Sequence, residues 1–360
     1  MAAASWCCTD RAKASWCCSN GVHPVESSSR QPDVLIGHRV LWSFWDGPLP
    51  PYQVLSLHNF RVLNPNWRVE LLNRTSAVQI LGAHMLPRQF VGMKPQLASD
   101  AVRLAALVIH GGAWLDLGSL FLRRDALSAM QRQMVQRGAE IRAYTLANQK
   151  ANNSDLILES WFLMALPGSA LMKQWHALFL LYFETRTRAS NILEHPFLQT
   201  AELQGRVAMR RMNPDYLAIC SLWLAVSGLP EWRGGRWRSH VFTEPAMARG
   251  YVLQSKFCHI TDRQCCVDAM FGAKKATLSS GRDLLDALRS HTPLLKFNKN
   301  CHRPIAARFA AAAPPSRSII SRLEWETRRA LQTASVRAER KKRTSTSARP
   351  HARAARSGTG

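Results

Sequence analysis

Two aspartates and an arginine, Asp100, Arg103 and Asp116, are the residues whose types and spacing could carry out chemistry in this sequence. Asp100 and Arg103 are three positions apart in a segment with helical spacing of its apolar residues, so they share one face of a predicted helix. Asp116 follows a short apolar run, Ala113-Trp114-Leu115, that is typical of a buried strand. A carboxylate at a strand end suits a divalent cation that bridges a diphosphate, and arginine suits phosphate or sugar hydroxyls.

A helix, a tight turn and a strand must position these side chains. The stripe of apolar residues predicts a helix that runs from Ser99, a suitable N-cap, to His110. Asp100 and Arg103 then lie at the start of the helix, where free N–H groups and the helix dipole favour anions. Gly111-Gly112 ends the helix, because glycine tolerates the left-handed conformation.

The elements around this unit predict an α/β fold. The chain opens with the order strand, helix, strand, which implies a parallel sheet with a crossover helix. A further strand and a strongly amphipathic helix follow the Asp116 segment. The predicted elements are a strand over Val34–Phe44, a helix over Tyr52–Leu63, a strand over Trp67–Leu72, a strand over Ser160–Ala165 and a helix over Ser169–Glu184.

Composition divides the 360 residues into three parts. Residues 1–32 form a tail that contains cysteines and serines, residues 33–305 form the globular part, and residues 306–360 form a basic tail that is partly helical or disordered. The last part has 13 Lys+Arg and 3 Asp+Glu, a net charge of +10 out of +24 for the chain. Such an excess predicts attraction to phosphate, nucleic acid or an anionic membrane surface.

The nine cysteines and the hydropathy pattern bear on the compartment. Six of the cysteines form three adjacent pairs and no CxxC pair exists, so reduced thiols are expected rather than a zinc or redox centre. No apolar run is long enough to span a bilayer and no secretory signal stands out, which favours a cytoplasmic or peripheral membrane location. The paired cysteines at Cys7-Cys8 and Cys17-Cys18 could be acylated or bind a metal.

The spacing Ser99-Asp100-x-x-Arg103 followed by Gly111-Gly112-x-Trp114-x-Asp116 resembles a known family. It is similar to the core of glycosyltransferases that carry a DXD motif, among them the capsular polysaccharide synthesis proteins and, more distantly, the sugar-transferring domains of large clostridial toxins. Weaker patches extend the resemblance over about residues 38–300; they are Leu41–Gly47 with Pro50-Pro51, Asn64-Pro65-x-Trp67, Glu159–Phe162 through Pro167-Gly168, Asp215-Tyr216 and Thr292-Pro293-x-x-Lys296.

The resemblance implies a GT-A type, Rossmann-like domain with a mainly parallel sheet flanked by helices. It implies a hexosyltransferase that moves a sugar from a nucleotide-diphospho-sugar to a glycan or lipid-linked acceptor, with retention of anomeric configuration. By the same resemblance Trp45 lies against the nucleotide base, while Asp100 and Arg103 hold the sugar and ribose. Asp116 would bind Mn²⁺ or Mg²⁺ on the diphosphate, and the metal would act as a Lewis acid.

The sequence departs from the DXD pattern at Gly118, where a second polar or acidic ligand is expected. The hydroxyl of Ser119 or a water could fill this position. Three residues that could supply a third ligand, and that sequence alone does not rank, are Asp215, His240 and His259.

Simpler structural roles are open for the same residues. Asp116 could cap the turn before Ser119, Asp100 and Arg103 could form an exposed i, i+3 ion pair of about 0.3 kcal/mol, and Trp45 could pack in the core or a lid. Three other tryptophans are expected in the core: Trp42, Trp114 and Trp161.

An alternative function is a catalytically inactive, transferase-like protein that binds nucleic acid. The net charge and the segment Trp232–Arg238, which interleaves tryptophans with arginines, favour it, because such a segment can stack on single-stranded bases and neutralise phosphates. The Asp100, Arg103 and Asp116 set disfavours it. For the transferase, nucleic acid is expected to bind only non-specifically, and the basic tail to contact an anionic membrane peripherally.

Overall fold

A computed structural model describes residues 39–145, 157–185, 218–258, 262–272, 283–312, 314–315 and 318–347. The expected N-terminal tail over residues 1–32, with its paired cysteines, lies outside these ranges. So do two of the candidate metal ligands, Asp215 and His259.

Six strands form a mixed sheet in which all but one strand run in the same direction. The strands in chain order are β1 (Val40–Phe44), β2 (Arg68–Leu72), β3 (Gly112–Leu115), β4 (Ser119–Phe121), β5 (Ile141–Thr145), β6 (Leu158–Ala165), β7 (Val241–Pro245) and β8 (Leu294–Lys296). The spatial order of the large sheet is β2-β1-β3-β6-β5-β7, and β6 is antiparallel to both of its neighbours. Strands β4 and β8 pair with each other in a small antiparallel sheet.

Helices flank this sheet, so the prediction of an α/β fold with a mainly parallel sheet is confirmed. In chain order the α-helices are α1 (Pro51–Leu63), α2 (Arg74–Leu81), α3 (Pro95–His110), α4 (Ala126–Gln136), α5 (Ala170–Thr185), α6 (Ala218–Ser227), α7 (Ala246–Arg249), α8 (Arg263–Phe271), α9 (Leu284–His291), α10 (Lys299–Ala311) and α11 (Ile319–Ser347). Within the described residues, none of these helices combines the length and the hydropathy of a membrane span.

The predicted strand–helix–strand opening is present as β1, α1 and β2, with β1 and β2 parallel. Within the described residues the first strand spans Val40–Phe44, and the part of the predicted strand over residues 34–38 lies outside them. The predicted strand and helix after Asp116 are also found, as β6 and α5.

Helix α3 begins four residues earlier than the sequence indicated, and this changes the setting of Asp100. Lys94 precedes Pro95 and is extended, with ψ 142°, because the proline ring disfavours helical backbone in the residue before it. Pro95 itself suits the first helical position. Asp100 and Arg103 therefore lie inside the helix, and the expectation that they share its free N-terminal N–H groups is wrong.

Gly111 ends helix α3 as predicted, and no other residue type fits its place. Its φ is +63°, and a Cβ at this position would lie 2.6 Å from the backbone nitrogen of Pro167. The close approach joins the end of the helix to the end of β6 and lets β3 start at Gly112. The turn therefore fixes where Asp116 emerges.

Two features of the C-terminal third differ from expectation. Cys258 pairs with Cys265 and Cys266 with Cys301 in disulfides, so the expected reduced thiols are not found at these four positions. Buried Cys220 remains a thiol.

The boundary expected at residue 305 falls inside helix α10. Ile319, Ile320 and Leu323, at the start of α11, are buried in the same apolar cluster as residues of α8, α9 and α10. The C-terminal segment is helical over α11, as predicted, and its first turns belong to the globular core.

Candidate functional site

Asp116 lies immediately after β3, a central strand of the large sheet. Its backbone N–H donates to the carbonyl of Trp161 at 2.9 Å, which extends the pairing of β3 with β6 by one residue. Oδ1 of Asp116 accepts from Nε1 of Trp114 at 2.9 Å and from a terminal nitrogen of Arg103 at 3.0 Å. About a third of the carboxylate side chain, 32%, is exposed, so Asp116 is the member of the network that solvent or a ligand can reach.

Arg103 joins the two aspartates that the sequence singled out. One terminal nitrogen bonds Oδ1 of Asp100 at 2.5 Å, the other bonds Asp116, and the guanidinium lies 4.8 Å above the Trp114 ring. The Arg103 side chain is 3% exposed and that of Asp100 is 8% exposed. The simpler reading as an exposed ion pair is therefore wrong, and the geometry makes Arg103 a buried bridge that orients Asp116.

Lys296 approaches Asp116 from the opposite side of the carboxylate. Its ammonium lies 3.2 Å from Oδ2. Strand β8 carries Lys296 and pairs with β4, where Ser119 stands opposite Lys296, so the small sheet holds the lysine beside the residue that follows β3. The backbone N–H of Lys296 donates to the carbonyl of Gly250 at 2.9 Å and fixes the strand further.

Opposing influences set the protonation of Asp116. Burial acts to raise the pKa of Asp116, but the charges of Lys296 and then Arg103, with hydrogen bonds from Trp114 and Lys296, outweigh it and hold the pKa below its ordinary value. Asp116 is therefore ionised at neutral pH.

The second aspartate behaves differently. Burial raises the pKa of Asp100 to about 7, the charge of Arg103 opposes this, and the nearby charge of Asp116 adds to it. Two carboxylates on one guanidinium thus have pKa values that are pushed apart, a pattern common at functional sites.

Glu159 adds a third carboxylate at the same edge of the sheet. It lies near the start of β6, which is antiparallel to β3, so this end of β6 meets the carboxyl end of β3. Burial raises the pKa of the half-buried Glu159 to about 7, while the charge of Lys296 and a hydrogen bond with Tyr251 oppose the rise.

Lys296 and Glu159 both lie in patches of the family resemblance, but no residue pattern assigned either of them a role. Both residues are far from Asp116 along the chain. The pairing of β8 with β4 brings Lys296 to it, and the antiparallel pairing of β6 with β3 brings Glu159 to the same edge. His302 is also near, because its ring lies 3.3 Å from the point where a Cβ on Gly118 would be. Burial, reinforced by the charge of Lys296, lowers its pKa to about 4, so the ring is neutral.

The surroundings of Gly118 test whether a divalent cation fits at Asp116. A Cβ on Gly118 would lie 3.3 Å from Cδ2 of His302 and 3.6 Å from Nζ of Lys296, so the place of the second motif ligand faces a ring and an ammonium. Asp116 already binds two cationic side chains, one through each carboxylate oxygen. Within the described ranges, no cluster of three or more His, Cys, Asp or Glu side chains is placed to hold a metal. These residues do not fit a divalent cation at Asp116.

His240, the one candidate third ligand within the described residues, lies at the other edge of the sheet. It precedes β7, which is parallel to β5, and its carbonyl accepts from the N–H of Ile141 at the start of β5. Its ring nitrogen Nδ1 lies 3.2 Å from Glu140. The fold therefore separates His240 from Asp116.

Trp45 follows β1 and so shares the sheet edge with Asp116. The ring is half-buried beside the apolar cluster on one face of the sheet, and Nε1 donates to the carbonyl of Pro48 at 2.9 Å. This position suits either a nucleotide base or local packing, and a contact of Trp45 with a base stays a prediction. The core assignment of Trp42, Trp114 and Trp161 is confirmed, since each is at most 3% exposed.

The tryptophans of the Trp232–Arg238 segment are not available for stacking. Trp232 and Trp237 are buried in the main core, and residues Arg233–Ser239 form a 3₁₀ helix. Trp237 meets Trp223 edge to face, with ring centroids 5.4 Å apart. The interpretation of this segment as a stacking surface for single-stranded nucleic acid is therefore wrong.

Comparison with known proteins supports the family resemblance that the motif indicated. Residues 87–207 match the family model of the capsular polysaccharide synthesis protein. The chain is 27% identical over 198 residues to glycosyltransferase afumC of Aspergillus fumigatus, which covers 50% of this chain and 49% of that protein. It is 26% identical over 180 residues to O-glycosyltransferase PaGT of Phomopsis amygdali, an alignment that covers 44% of this chain and 42% of that protein. It is 24% identical over 196 residues to O-glycosyltransferase braB of Annulohypoxylon truncatum, and that alignment covers 49% of this chain and 43% of the relative.

A solved structure of the PaToxG glycosyltransferase overlaps 56% of this chain and 85% of its own at 11% identity, with a TM-score of 0.30. The chain spans about half the length of the curated relatives that it matches. The family match, over residues 87–207, includes the helix and strand that hold Asp100, Arg103 and Asp116. With the similarity of about half the chain to fungal glycosyltransferases, it confirms the resemblance that the sequence motif indicated.

Proposed function

We propose that the chain is a glycosyltransferase that moves a sugar from a nucleotide-diphospho-sugar to a hydroxyl group of an acceptor. The observation that carries the proposal is the ionised Asp116 at the carboxyl end of a central strand, held between Arg103 and Lys296. Ligands of open α/β sheets bind outside this edge. The family match covers the same helix and strand, and two of the fungal relatives are O-glycosyltransferases by name.

The reaction replaces one bond to the anomeric carbon with another. The bond from this carbon to the diphosphate oxygen breaks, its electron pair stays on the nucleoside diphosphate, and the acceptor oxygen forms the new glycosidic bond. The proton of the acceptor hydroxyl leaves to a base. Glu159, with a pKa near 7 beside Lys296, is the described carboxylate suited to receive it.

The site residues have different duties in this scheme. Asp116 is the exposed group, and it orients the donor sugar and the Lys296 ammonium. Arg103 and Asp100 are too buried for extensive contact with a substrate, and they act by positioning Asp116. Positioning of this kind lowers the barrier because the groups are already oriented when charge develops. Trp45, at the same edge, is proposed to lie against the base.

Several finer properties belong to the proposal. The domain is of GT-A type, the sugar is a hexose, and the configuration at the anomeric carbon is retained. The acceptor is a glycan or a lipid-linked molecule. The excess of basic residues over residues 306–360 draws the protein towards an anionic membrane, where each basic residue close to the surface contributes about 1 kcal/mol. The burial of Trp232 and Trp237 weighs against the nucleic-acid alternative.

Release of nucleoside diphosphate from a panel of nucleotide sugars tests the function. The native chain should release it from one donor, faster when a hydroxyl-bearing acceptor is present, and Asp116→Asn should lower kcat/KM by about 10²–10³-fold, as for the loss of one positioned charged group. Asp286→Asn, which changes an exposed carboxylate on α9, is the matched control and should leave the rate unchanged. Absence of both release and nucleotide binding by the native chain would refute the function.

A further inference from the structure

The space beside Asp116 where the DXD pattern would place its second ligand is taken by Lys296 and His302. The ammonium of Lys296 lies 3.2 Å from Oδ2 of Asp116 and 3.6 Å from the point where a Cβ on residue 118 would be. Cδ2 of His302 lies 3.3 Å from that point. A Cβ at position 118 would be in tight contact with the His302 ring and in ordinary contact with the Lys296 ammonium, so a longer side chain there would have to share this space with both groups.

We propose that Lys296 supplies the positive charge that a divalent cation supplies in DXD transferases, and that sugar transfer by this chain needs no metal. The inference rests on the glycosyltransferase function proposed above. Lys296 is then the catalytic cation, Asp116 its fixed counter-ion, and Gly118 the residue that makes room for it.

The charge balance around Asp116 favours a diphosphate over a dication. Arg103 and Lys296 place two fixed positive charges on this carboxylate. The other two carboxylates at this edge, Asp100 and Glu159, have pKa values raised to about 7 and so are only partly charged at neutral pH. A metal ion at Asp116 would have to displace Lys296 or lie against it. An anionic ligand, in contrast, could accept hydrogen bonds from the Lys296 ammonium without displacing it from Asp116.

The chemistry of the ammonium fits the role. It carries three N–H donors, and the bond to Asp116 uses one of them, which leaves two that can donate to oxygens of a diphosphate. The Lys296 side chain is 12% exposed, so it is largely buried but not closed off from solvent. The ring of Trp161 lies 5.7 Å from Nζ, within the range of a cation–π contact.

The Lys296 ammonium gains and loses no proton in the proposed transfer of the sugar. The bond between the anomeric carbon and the diphosphate oxygen breaks, and its electron pair becomes negative charge on the leaving nucleoside diphosphate. The Lys296 ammonium donates hydrogen bonds to this charge and keeps its proton. The acceptor oxygen bonds to the anomeric carbon, and the proton of the acceptor hydroxyl passes to Glu159.

The first test measures nucleotide binding and sugar release with and without metal. The native chain, freed of metal with a chelator, is titrated with nucleoside diphosphates by calorimetry and assayed for release from its donor. We expect affinity and rate in chelator to lie within twofold of those in added Mn²⁺ or Mg²⁺. We also expect Mn²⁺ alone to give no heat of binding.

The second test changes the lysine. Lys296→Met keeps an unbranched stem without the charge and should weaken nucleoside diphosphate binding at least tenfold and lower kcat/KM at least 10²-fold, while Lys296→Arg should recover part of both losses because it restores a positive charge. Lys256→Met, at an exposed lysine, is the matched control. Thermal unfolding of each variant separates loss of charge from loss of fold.

The outcomes of these tests separate the metal-free inference from the glycosyltransferase function on which it rests. Binding or release that appears only with Mn²⁺ or Mg²⁺ overturns the metal-free inference and leaves the glycosyltransferase function standing. Equal activity of folded Lys296→Met and the native chain in chelator also overturns it. Absence of nucleotide binding and release in every condition overturns both.

Discussion

The ammonium of Lys296 lies 3.2 Å from Oδ2 of Asp116, although 180 residues separate the two in the chain. Strand β8 brings the lysine there by pairing with β4, which begins three residues after Asp116. The carboxylate therefore lies between Lys296 on one oxygen and Arg103 on the other. These two cations hold the pKa of Asp116 below its ordinary value although burial acts to raise it.

Arg103→Met should lower both stability and activity. The change leaves two carboxylates, Asp100 and Asp116, without the guanidinium that bridges them, and removal of one partner from a buried ion pair costs about 3–5 kcal/mol. Urea unfolding measures this cost. Arg68→Met, at a side chain that is 67% exposed, is the control and should cost no more than about 1 kcal/mol.

Arg103→Lys should recover little of the loss. A lysine offers a point charge rather than a planar fork, so it cannot hold Asp100 and Asp116 at once. Full stability and activity in Arg103→Lys would contradict the bridging role and reduce the residue to a simple positive charge.

Glu159→Gln should flatten the dependence of stability on pH. The pKa of Glu159 is raised from 4.5 to about 7 in the folded chain, so the folded state binds the proton more tightly than the unfolded state. The contribution of this group to the free energy of unfolding is therefore greatest below about pH 4.5 and falls as pH rises to about 7. Glutamine does not titrate, so the variant should gain stability relative to the native chain across this window.

Chemical denaturation of Glu159→Gln at several pH values between 4 and 8 measures the gain. Glu70→Gln, on edge strand β2, is the control for loss of a glutamate elsewhere. A difference between Glu159→Gln and the native chain that does not change with pH would contradict the raised pKa.

Gly111→Ala should destabilise the fold more than Gly138→Ala. Both glycines have φ near +65°, so alanine introduces backbone strain of about 1–2 kcal/mol at each. At Gly138 the new methyl group meets nothing within 4 Å, whereas at Gly111 it would lie 2.6 Å from the nitrogen of Pro167. Unfolding free energies of the two variants measure the difference, and equal values would show that the Pro167 approach relaxes freely.

Removal of the Cys266–Cys301 disulfide should cost more than removal of Cys258–Cys265. The sequence separations are 35 and 7, and loop-closure entropy assigns about 4 and about 2.5 kcal/mol to cross-links of these lengths. Paired Cys→Ala variants, unfolded without reductant, measure both costs. Mass analysis of the native chain after thiol blocking checks the pairing, and full reactivity of all four cysteines would contradict it.

Local sequence was enough to predict much of the fold. The strand–helix–strand opening, the glycine turn at Gly111 and the buried strand before Asp116 follow from hydrophobic period and turn chemistry, which are local properties. The start of helix α3 was misplaced because Ser99 is a good cap, but Pro95 with its extended neighbour Lys94 already begins the helix. The rule on residues that precede proline could have located this start.

The site was predictable only in part, because local geometry positions some of its residues and tertiary packing positions the others. Asp100, Arg103 and Asp116 lie on a consecutive helix and strand, so their meeting follows from the local geometry of that unit. Glu159 and Lys296 reach the site on β6 and β8, whose partners in the sheets are set by tertiary packing. The burial of Trp232 and Trp237, which removes the stacking surface, likewise depends on packing against distant elements.

By itself, then, the sequence determined the chemical types near the end of β3: two carboxylates, one guanidinium and a glycine where a second ligand was expected. Only the tertiary structure decided what stands beside that glycine. The charge that Asp116 meets depends on distances through space, which fall to 3.2 Å only once β8 pairs with β4 and places Lys296 there.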